Sequence, residues 1–213
     1  MIRVFCAEIG LFDKNLIFDE ILEQVKEQRR SKVLRCNNKQ EKRRVLLAGW
    51  LLRKAIESVG LDYEKVEISR TEKGKPYLVS YPEYYISLSH SGIYAICVIA
   101  DAPVGVDVEG QERRLLLSDN TERLETVARK CLTTEEYEHF CTVDETRRRD
   151  FFLRMWTRKE AVSKAEGLGL GMDFSKISEP EECFYTCSLA GEYYVSVYSA
   201  NGIGEDIEIC MMS

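Results

Sequence analysis

The chain has 213 residues, 45% of them apolar and 31% charged, with a formal net charge of −6. This length is enough for one domain or for two compact lobes with a buried core. No apolar run approaches the roughly 20 residues that span a bilayer, and the acidic balance argues against a general nucleic-acid binder, because contacts to phosphates need a basic surface.

The first half of the chain passes from helical patterns to strand patterns. A strand pattern opens it at residues 1–8, and apolar residues at helical spacing follow over 17–25 and 45–59. The period then changes to that of short strands, and glycine- and proline-containing turn signals separate them. These strands are predicted at 66–69, 84–89 and 94–100.

The second half has the same order of elements. A strand is predicted at 104–109 and helices at 120–130 and 145–166, with a capping box at Thr133 that opens another helix between them. Further strands are predicted at 184–189, 193–199 and 207–211. We therefore predict an α+β fold of two similar lobes, residues 1–103 and 104–213, each with a small, mainly antiparallel sheet packed on helices.

Two short stretches carry most of the chemistry. In the strand at 104–109 the valines face one side, and Asp107 and Glu109 face the other. The helix at 145–166 has a stripe with one residue every four positions, aromatic at one end and charged at the other. The stripe consists of Phe152, Trp156, Glu160 and Lys164. We expect its aromatic end to lie in a core and its charged end to reach a cleft.

Together these stretches supply carboxylates and lysines for one site. Asp107 and Glu109 suit Mg²⁺, which takes one or two carboxylates together with waters and substrate phosphates. Glu160 is a candidate ligand or base, and Lys159 and Lys164 are candidates for phosphate oxygens. An acidic strand edge or a Glu–Lys helix pair is common on ordinary surfaces, so the combination is what favours a site.

The chain contains no Walker-type phosphate loop, no dinucleotide-binding glycine motif and no serine nucleophile elbow. We therefore predict metal-assisted phosphoryl chemistry without a covalent enzyme intermediate. A strongly basic segment covers residues 26–44 of this otherwise acidic chain. It is either a solvated helix face with internal charge pairs or a surface that binds an anion.

The cysteines and histidines do not indicate a zinc site. The eight cysteines are scattered, and the chain has two histidines, so the paired spacing of zinc ligands is absent. The start of the chain lacks the pattern of a secretory signal. Reduced thiols and a cytoplasmic location are therefore expected.

Four short blocks occur in a fixed order along nearly the whole chain. They are Gly74-Lys75-Pro76, Ser89-His90-Ser91-Gly92, Gly105-Val106-Asp107-Val108-Glu109 and Trp156-x2-Lys159-Glu160-x3-Lys164. In order and spacing they resemble the motifs of the 4′-phosphopantetheinyl transferases of the two-lobed, surfactin-synthetase-activating type. The segment 128–140 also resembles a segment of that family.

The resemblance implies lobes related by a pseudo-twofold, with the active site in the cleft between them. It implies an enzyme that transfers the 4′-phosphopantetheine group of coenzyme A to a conserved serine of an apo acyl or peptidyl carrier protein and releases 3′,5′-ADP. The cofactor would be Mg²⁺, with Mn²⁺ as the alternative. A monomer is expected, with no nucleic acid or membrane as partner.

The resemblance also implies roles for individual residues. The metal ligands would be Asp107, Glu109 and Glu160, and the catalytic residues would be Glu160 as the base, Lys164 and Asp107. The residues that bind coenzyme A would be Arg44, Lys75, Pro76, Ser89, His90, Lys159 and Lys164. Of these, Arg44 and His90 would contact the 3′-phosphate, and Lys75 and Pro76 would lie along the adenine.

The sequence departs from the family pattern at two places. Gln28 and Ser31 stand nearest to the positions of the family's first-helix lysines, with Arg29, Arg30 and Lys32 beside them, so no contact to the 3′-phosphate is assigned there. The stretch 111–120 is longer than usual and is predicted to be a mobile loop near the cleft.

Three alternatives remain open at the level of the sequence. An inactive module that binds coenzyme A or a carrier protein would not need the base. A single-lobed, trimeric carrier-protein synthase would not need residues 1–103. A Mg²⁺-dependent nucleotide hydrolase would cleave coenzyme A without a carrier.

Overall fold

The computed structural model describes residues 1–14, 18–110, 121–204, 207 and 209–212. Its strands are β1 (Ile2–Glu8), β2 (Ile68–Arg70), β3 (Pro76–Leu78), β4 (Tyr85–Ser91), β5 (Tyr94–Ala100), β6 (Val104–Gly110), β7 (Phe184–Leu189), β8 (Tyr193–Ser199) and β9 (Ile209–Met211). Its α-helices are α1 (Leu11–Lys14), α2 (Phe18–Glu23), α3 (Glu27–Arg35), α4 (Lys39–Ser58), α5 (Thr121–Cys131), α6 (Thr134–Thr142) and α7 (Glu145–Glu166). The predicted loop at 111–120 lies outside the described residues.

The structure confirms the α+β class and most of the predicted elements. Helix α7 has the predicted bounds: the Asp144 side chain accepts a hydrogen bond from Thr146 N at 2.9 Å, and the helix ends at Gly167, whose φ is 69°. A positive φ favours glycine, which has no Cβ to clash. The predicted capping box is also present, with Thr133 Oγ1 accepting from Glu136 N at 3.2 Å and Glu136 Oε2 accepting from Thr133 N at 2.8 Å.

Three elements, α1, α3 and β3, were not predicted. Helix α3 lies in the basic segment and has Val33 as its buried residue, so no apolar stripe marked it. Strand β3 starts at Pro76, which lies opposite Arg70 in a two-stranded sheet with β2. The first position of such a strand tolerates proline, because its missing N–H is not needed in the ladder.

The first lobe is a four-stranded sheet in the order β4–β5–β1–β9. Strand β5 pairs antiparallel with both β4 and β1, and all seven of its residues are buried. Alternate residues of β5 face two different cores, because side chains in a strand point alternately to opposite faces. One core, which includes Cys97 and Ile99, packs under α4; the other, which includes Ile96 and Val98, packs against the second lobe.

The end of the chain returns to the first lobe. Strand β9 pairs with β1 in parallel, with Val4 opposite Ile209 and Cys6 opposite Met211. The predicted division at residue 104 assigned the whole tail to the second lobe, and the position of β9 corrects it for residues 209–211. A sequence pattern identifies a strand but not the sheet that it joins.

The second lobe is a three-stranded antiparallel sheet in the order β6–β8–β7, and α7 packs across it. Gly105 allows a close approach of the helix, because a Cβ at this position would collide with the backbone of Ala161 and Ala165. Thr157 Oγ1 on α7 lies 2.9 Å from Ser196 Oγ on β8, and Ser196 lies opposite Asp107. These contacts fix the register of α7 along β6.

Strands β4 and β6 belong to different sheets but lie side by side. Val106 N donates a hydrogen bond to Ser87 Oγ at 3.1 Å, and Val108 N donates one to Ser89 Oγ at 3.3 Å. The valines of β6 pack on the facing residues of β1 and β5. The predicted site residues on β4, β6 and α7 therefore meet at the junction of the lobes.

Within the described residues, no helix is both long enough and apolar enough for a membrane span.

Candidate functional site

A buried cluster of three side chains joins β4, β6 and α7. Asp107 Oδ1 accepts hydrogen bonds from Ser89 Oγ at 2.8 Å and from Lys164 Nζ at 2.6 Å. Lys164 Nζ also donates to Ser89 Oγ at 2.9 Å. Asp107 is 3% exposed, and this burial strengthens its attraction to the lysine. Three residues predicted to act together are thus in direct contact.

The second oxygen of Asp107 has a different environment. Asp107 Oδ2 is buried and accepts no hydrogen bond from the described part of the chain. A buried carboxylate oxygen normally has a partner, because desolvation without one is costly. The protein thus holds one oxygen of Asp107 and leaves the other as a candidate metal ligand.

Glu109 lies two residues further along the same face of β6. It is 7% exposed, and its Oε2 accepts a hydrogen bond from Ser91 Oγ at 2.9 Å. The valines that alternate with the two acids, Val106 and Val108, point into the core between the lobes, as the predicted alternation requires. Both carboxylates therefore face β4, and each is held by one of its serines.

Glu160 lies on α7 one turn before Lys164 and is partly exposed. Residues four apart in a helix lie on the same side, so Glu160 and Lys164 face the same junction. Among the described residues, however, no group of three His, Cys, Asp or Glu side chains is arranged to hold a metal. The three predicted ligands Asp107, Glu109 and Glu160 are therefore not close enough together to form a complete metal site without other ligands.

Lys159 does not belong to this cluster. Its Nζ donates to the carbonyl oxygens of Phe174 and Ile177, at 3.0 and 2.8 Å, and lies 2.7 Å from Glu136 Oε2. Burial lowers the pKa of Lys159, and the Glu136 carboxylate opposes this shift. These contacts tie α7 to α6 and to the turn after α7, and they argue against the predicted contact of Lys159 with a diphosphate.

Arg44, the predicted contact of the 3′-phosphate, already has protein partners. Its guanidinium binds Glu41 Oε2 at 2.9 Å and donates to the Gly92 carbonyl at 2.6 Å. It therefore holds the turn after β4, and a phosphate would have to compete with Glu41. His90 Nε2 lies 4.0 Å from Glu41 Oε1.

The charge on His90 depends on several neighbours. Burial lowers the pKa of His90, and Arg44, Lys32 and Lys164 lower it further, whereas Glu41 raises it. Without a ligand, His90 therefore favours the neutral form. A bound anion would favour the protonated form.

A cavity of about 250 Å³ opens beside this cluster. Predicted residues that line it are Lys75, Pro76, His90 and Lys164. Lys75 Nζ donates to the Ala165 carbonyl at the end of α7, and burial lowers the pKa of Lys75. Cations that the sequence analysis did not assign also line this cavity: Arg29, Lys32, Arg70 and Lys73.

A larger cavity of about 1030 Å³ adjoins it, and both are lined by Arg29, Lys32, Arg70 and Pro76. The side chains of Arg29 and Lys32 make no hydrogen bond or ion pair within the described residues, and the side chain of Arg70 donates to the Gly74 carbonyl at 2.7 Å. We call Arg29, Lys32 and Arg70 the cation wall. Burial lowers the pKa of Arg29 and of Lys32, and repulsion from Arg70 lowers both further. Clustered cations without acidic partners favour an anionic ligand.

Sequence reasoning missed the cation wall for an identifiable reason. Arg29 and Lys32 are three residues apart on α3, which places them on one side of a helix. Arg70 comes from β2, and only the tertiary structure brings it to them. The basic segment was a visible signal, but its ordinary explanation was a solvated helix face.

Comparison with known proteins gives concordant results. A family model described as the 4′-phosphopantetheinyl transferase superfamily matches residues 103–209, and a model described as 4′-phosphopantetheinyl transferase, N-terminal, matches residues 14–102. A 4′-phosphopantetheinyl transferase of Bacillus subtilis is 26% identical over 161 residues, which are 75% of this chain and 68% of that protein.

Two further relatives show how far the similarity extends. The 4′-phosphopantetheinyl transferase Sfp of Bacillus subtilis strain 168 is 29% identical over 71% of this chain and 64% of its own length. The L-aminoadipate-semialdehyde dehydrogenase-phosphopantetheinyl transferase of Xenopus laevis is 31% identical over 67% of this chain and 53% of its own length. The similarity thus covers between half and about two thirds of these relatives.

Proposed function

The chain belongs to the 4′-phosphopantetheinyl transferase superfamily, as its motifs predicted, and we propose that it transfers the 4′-phosphopantetheine group of coenzyme A to a serine of an apo acyl or peptidyl carrier protein. The observation that carries this proposal is the contact of Asp107, Ser89 and Lys164 beside a cavity lined with cations. It joins a candidate metal ligand to a candidate phosphate site. The products would be the modified carrier and 3′,5′-ADP.

Coenzyme A would bind with its phosphates in the smaller cavity. The charges there support this position: Lys164, His90 and the cation wall line the cavity, and the cations of the wall form no ion pair within the described residues. A phosphate on the wall would relieve the repulsion among its cations. Pro76 lines both cavities, so the adenine would lie along β3, as the resemblance implies.

The site also fits a divalent cation. Asp107 and Glu109 would hold Mg²⁺, with Glu160 as a third ligand, and the buried, unpartnered Oδ2 of Asp107 supports this assignment. Such sites are usually completed by waters and substrate phosphates, so three gathered protein ligands are not required. When bound, the metal would neutralise charge on the diphosphate and polarise its phosphorus–oxygen bonds. Mn²⁺ could replace it.

Each remaining side chain has a role set by its position. Lys164 lies between Asp107 and the cavity, so its ammonium would stabilise the negative charge that develops on the diphosphate oxygens. Glu160 would accept the proton of the carrier serine, directly or through a water. His90 would donate to a phosphate when protonated, and Lys159 would have no direct part, because three protein oxygens already surround it.

We also propose a cytoplasmic, monomeric protein with a first lobe that binds the nucleotide and a second that supplies the carboxylates. The free state of all eight cysteines is consistent with a reducing compartment. The cation wall lies on α3 and β2, whereas Asp107, Glu109 and Glu160 lie on β6 and α7. One chain therefore contains both halves of the proposed site.

The test is intact-mass spectrometry of an apo carrier protein incubated with this chain, coenzyme A and Mg²⁺. We expect the carrier to gain the mass of one phosphopantetheine group and to remain unmodified when EDTA is added. The matched control is Asp107→Asn, which preserves size and removes the charge. If a panel of acyl and peptidyl carriers stays unmodified although the chain binds coenzyme A, the chain is a binding module instead. Loss of coenzyme A without any carrier would indicate hydrolysis.

A further inference from the structure

Serines at every second position of β4 face β6, a strand of the other lobe. Ser87 Oγ accepts from Val106 N at 3.1 Å, and Ser89 Oγ accepts from Val108 N at 3.3 Å. Residue numbers rise together along both strands, so β4 and β6 run in the same direction. The pairing of strands ends at this boundary, because β4 and β6 are in separate sheets. We call Ser87, Ser89 and Ser91 the serine ladder.

The same ladder reaches the two acidic side chains of β6. Ser89 Oγ donates to Asp107 Oδ1 at 2.8 Å, and Ser91 Oγ donates to Glu109 Oε2 at 2.9 Å. The two serines are two residues apart on β4, and the two acidic residues are two residues apart on β6. Each serine therefore holds one oxygen of a carboxylate and limits the rotation of that carboxylate.

We propose that Ser91 is a positioning residue of the metal site: its hydroxyl fixes the Glu109 carboxylate so that Asp107 and Glu109 face one cation. This role presupposes the proposed function, in which both carboxylates bind a divalent metal. Residues that hydrogen-bond to metal ligands commonly change metal affinity or activity 10- to 100-fold when they are removed. The metal affinity of the second lobe would then depend on a strand of the first lobe.

Ser91 is the member of the ladder that tests this role cleanly. Ser89 also binds Lys164 and Val108 N, so its removal disturbs several groups at once. The hydrogen bond of the Ser91 side chain is to Glu109. Ser87 is the matched control, because it supports the backbone of β6 at Val106 and contacts neither carboxylate.

The direct measurement is a titration of the full chain with Mn²⁺, in which electron paramagnetic resonance follows the free ion. Coenzyme A is present and the carrier protein is absent, so no transfer takes place. We expect Ser91→Ala to weaken Mn²⁺ binding by about tenfold. Ser91→Thr, which keeps a hydroxyl on a strand residue, should bind within about twofold of the unchanged chain. Ser87→Ala, at a residue that also lines the smaller cavity, should lower thermal stability and change Mn²⁺ affinity by less than about twofold.

A kinetic measurement distinguishes positioning from a purely structural role. With a carrier protein present, Ser91→Ala should raise the Mg²⁺ concentration for half-maximal rate and leave kcat at saturating Mg²⁺ nearly unchanged. A structural defect would reduce the active fraction and leave the half-saturating concentration as it was.

Two results would overturn the inference, and they differ in what else they affect. If Ser91→Ala binds Mn²⁺ as the unchanged chain does while Asp107→Asn loses it, Ser91 has no positioning role and the metal assignment stands. If Asp107→Asn binds Mn²⁺ normally, or the unchanged chain binds none with coenzyme A present, the metal assignment in the proposed function fails as well.

Discussion

Replacing Lys159 by methionine tests whether this lysine has a structural role, in contrast to the catalytic role proposed for Lys164. Three oxygens surround its Nζ: the carbonyls of Phe174 and Ile177, at 3.0 and 2.8 Å, and Glu136 Oε2 at 2.7 Å. The side chain of Lys159 is 3% exposed and that of Glu136 is 27% exposed. Methionine fills a similar volume but has no donor, so all three oxygens lose a partner at once.

The magnitude follows from this burial. Removing one partner of a buried ion pair costs about 3–5 kcal/mol, because a charge stays behind without compensation. Glu136 is partly accessible to water and keeps its hydrogen bond from Thr133 N, so we expect the lower end, about 3 kcal/mol. For a chain of this size, about 3 kcal/mol corresponds to a fall in Tm of roughly 6–12 °C.

Thermal unfolding and transfer kinetics measured on the same preparations test this expectation. Lys159→Met should lose stability and keep its kcat per folded molecule, whereas Lys164→Met should lose about 10²-fold or more in kcat. Adding Glu136→Gln to Lys159→Met should recover part of the stability, because glutamine keeps the helix cap and removes the uncompensated charge. A Lys159→Met variant with unchanged Tm and lost turnover would refute this reasoning and would indicate that Lys159 takes part in the reaction.

Three further predictions concern the ligands of the site. Asp107→Ala should abolish transfer and only weaken the binding of coenzyme A, which calorimetry measures. Full activity of this variant would contradict the assignment of Asp107 as a metal ligand. If the phosphate on the cation wall is the 3′-phosphate, Arg70→Ala should raise KM for coenzyme A about tenfold or more and leave KM for dephospho-coenzyme A nearly unchanged, because one charge-assisted hydrogen bond is worth about 1.5–3 kcal/mol; equal losses for both substrates would contradict that contact. Burial lowers the pKa of His90 below its ordinary value of about 6.5, and a bound phosphate favours the protonated form. Affinity for coenzyme A should therefore rise as the pH falls through that region, and a His90→Gln variant with the same pH profile would exclude His90 as the cause.

The geometry of single elements was the predictable part of the site. Alternation along a strand predicted that Asp107 and Glu109 share a face, and the four-residue spacing predicted that Glu160 and Lys164 share one. The same rule argues against a phosphate contact by Lys159. It lies five residues before Lys164, and in a helix of 3.6 residues per turn this spacing points the two side chains in different directions. Its motif suggested a phosphate contact, but the direction of the side chain opposes that role.

Long-range arrangement was not predictable in this way. Arg70 lies opposite Pro76 in the hairpin of β2 and β3, and no local pattern brings it to α3. The parallel pairing of β9 with β1 likewise depends on the path of the chain after β8. Arg44 donates to the Gly92 carbonyl, 48 residues further along the chain, and no local pattern predicts that contact. In each case the missing information is which neighbour the tertiary structure supplies.

The junction of the lobes determines the geometry of the site more than either lobe does. The cation wall belongs to one lobe and the carboxylates to the other, and the serine ladder joins them at the level of Asp107 and Glu109. Tyr193 packs at one end of this junction, where a Cβ at Gly92 or Gly110 would collide with its ring. Since these glycines follow Ser91 and Glu109 directly, a side chain at either position would displace the ring or shift the strand end that holds a site residue. The phosphate and metal sides of the proposed centre are therefore aligned by interlobe packing.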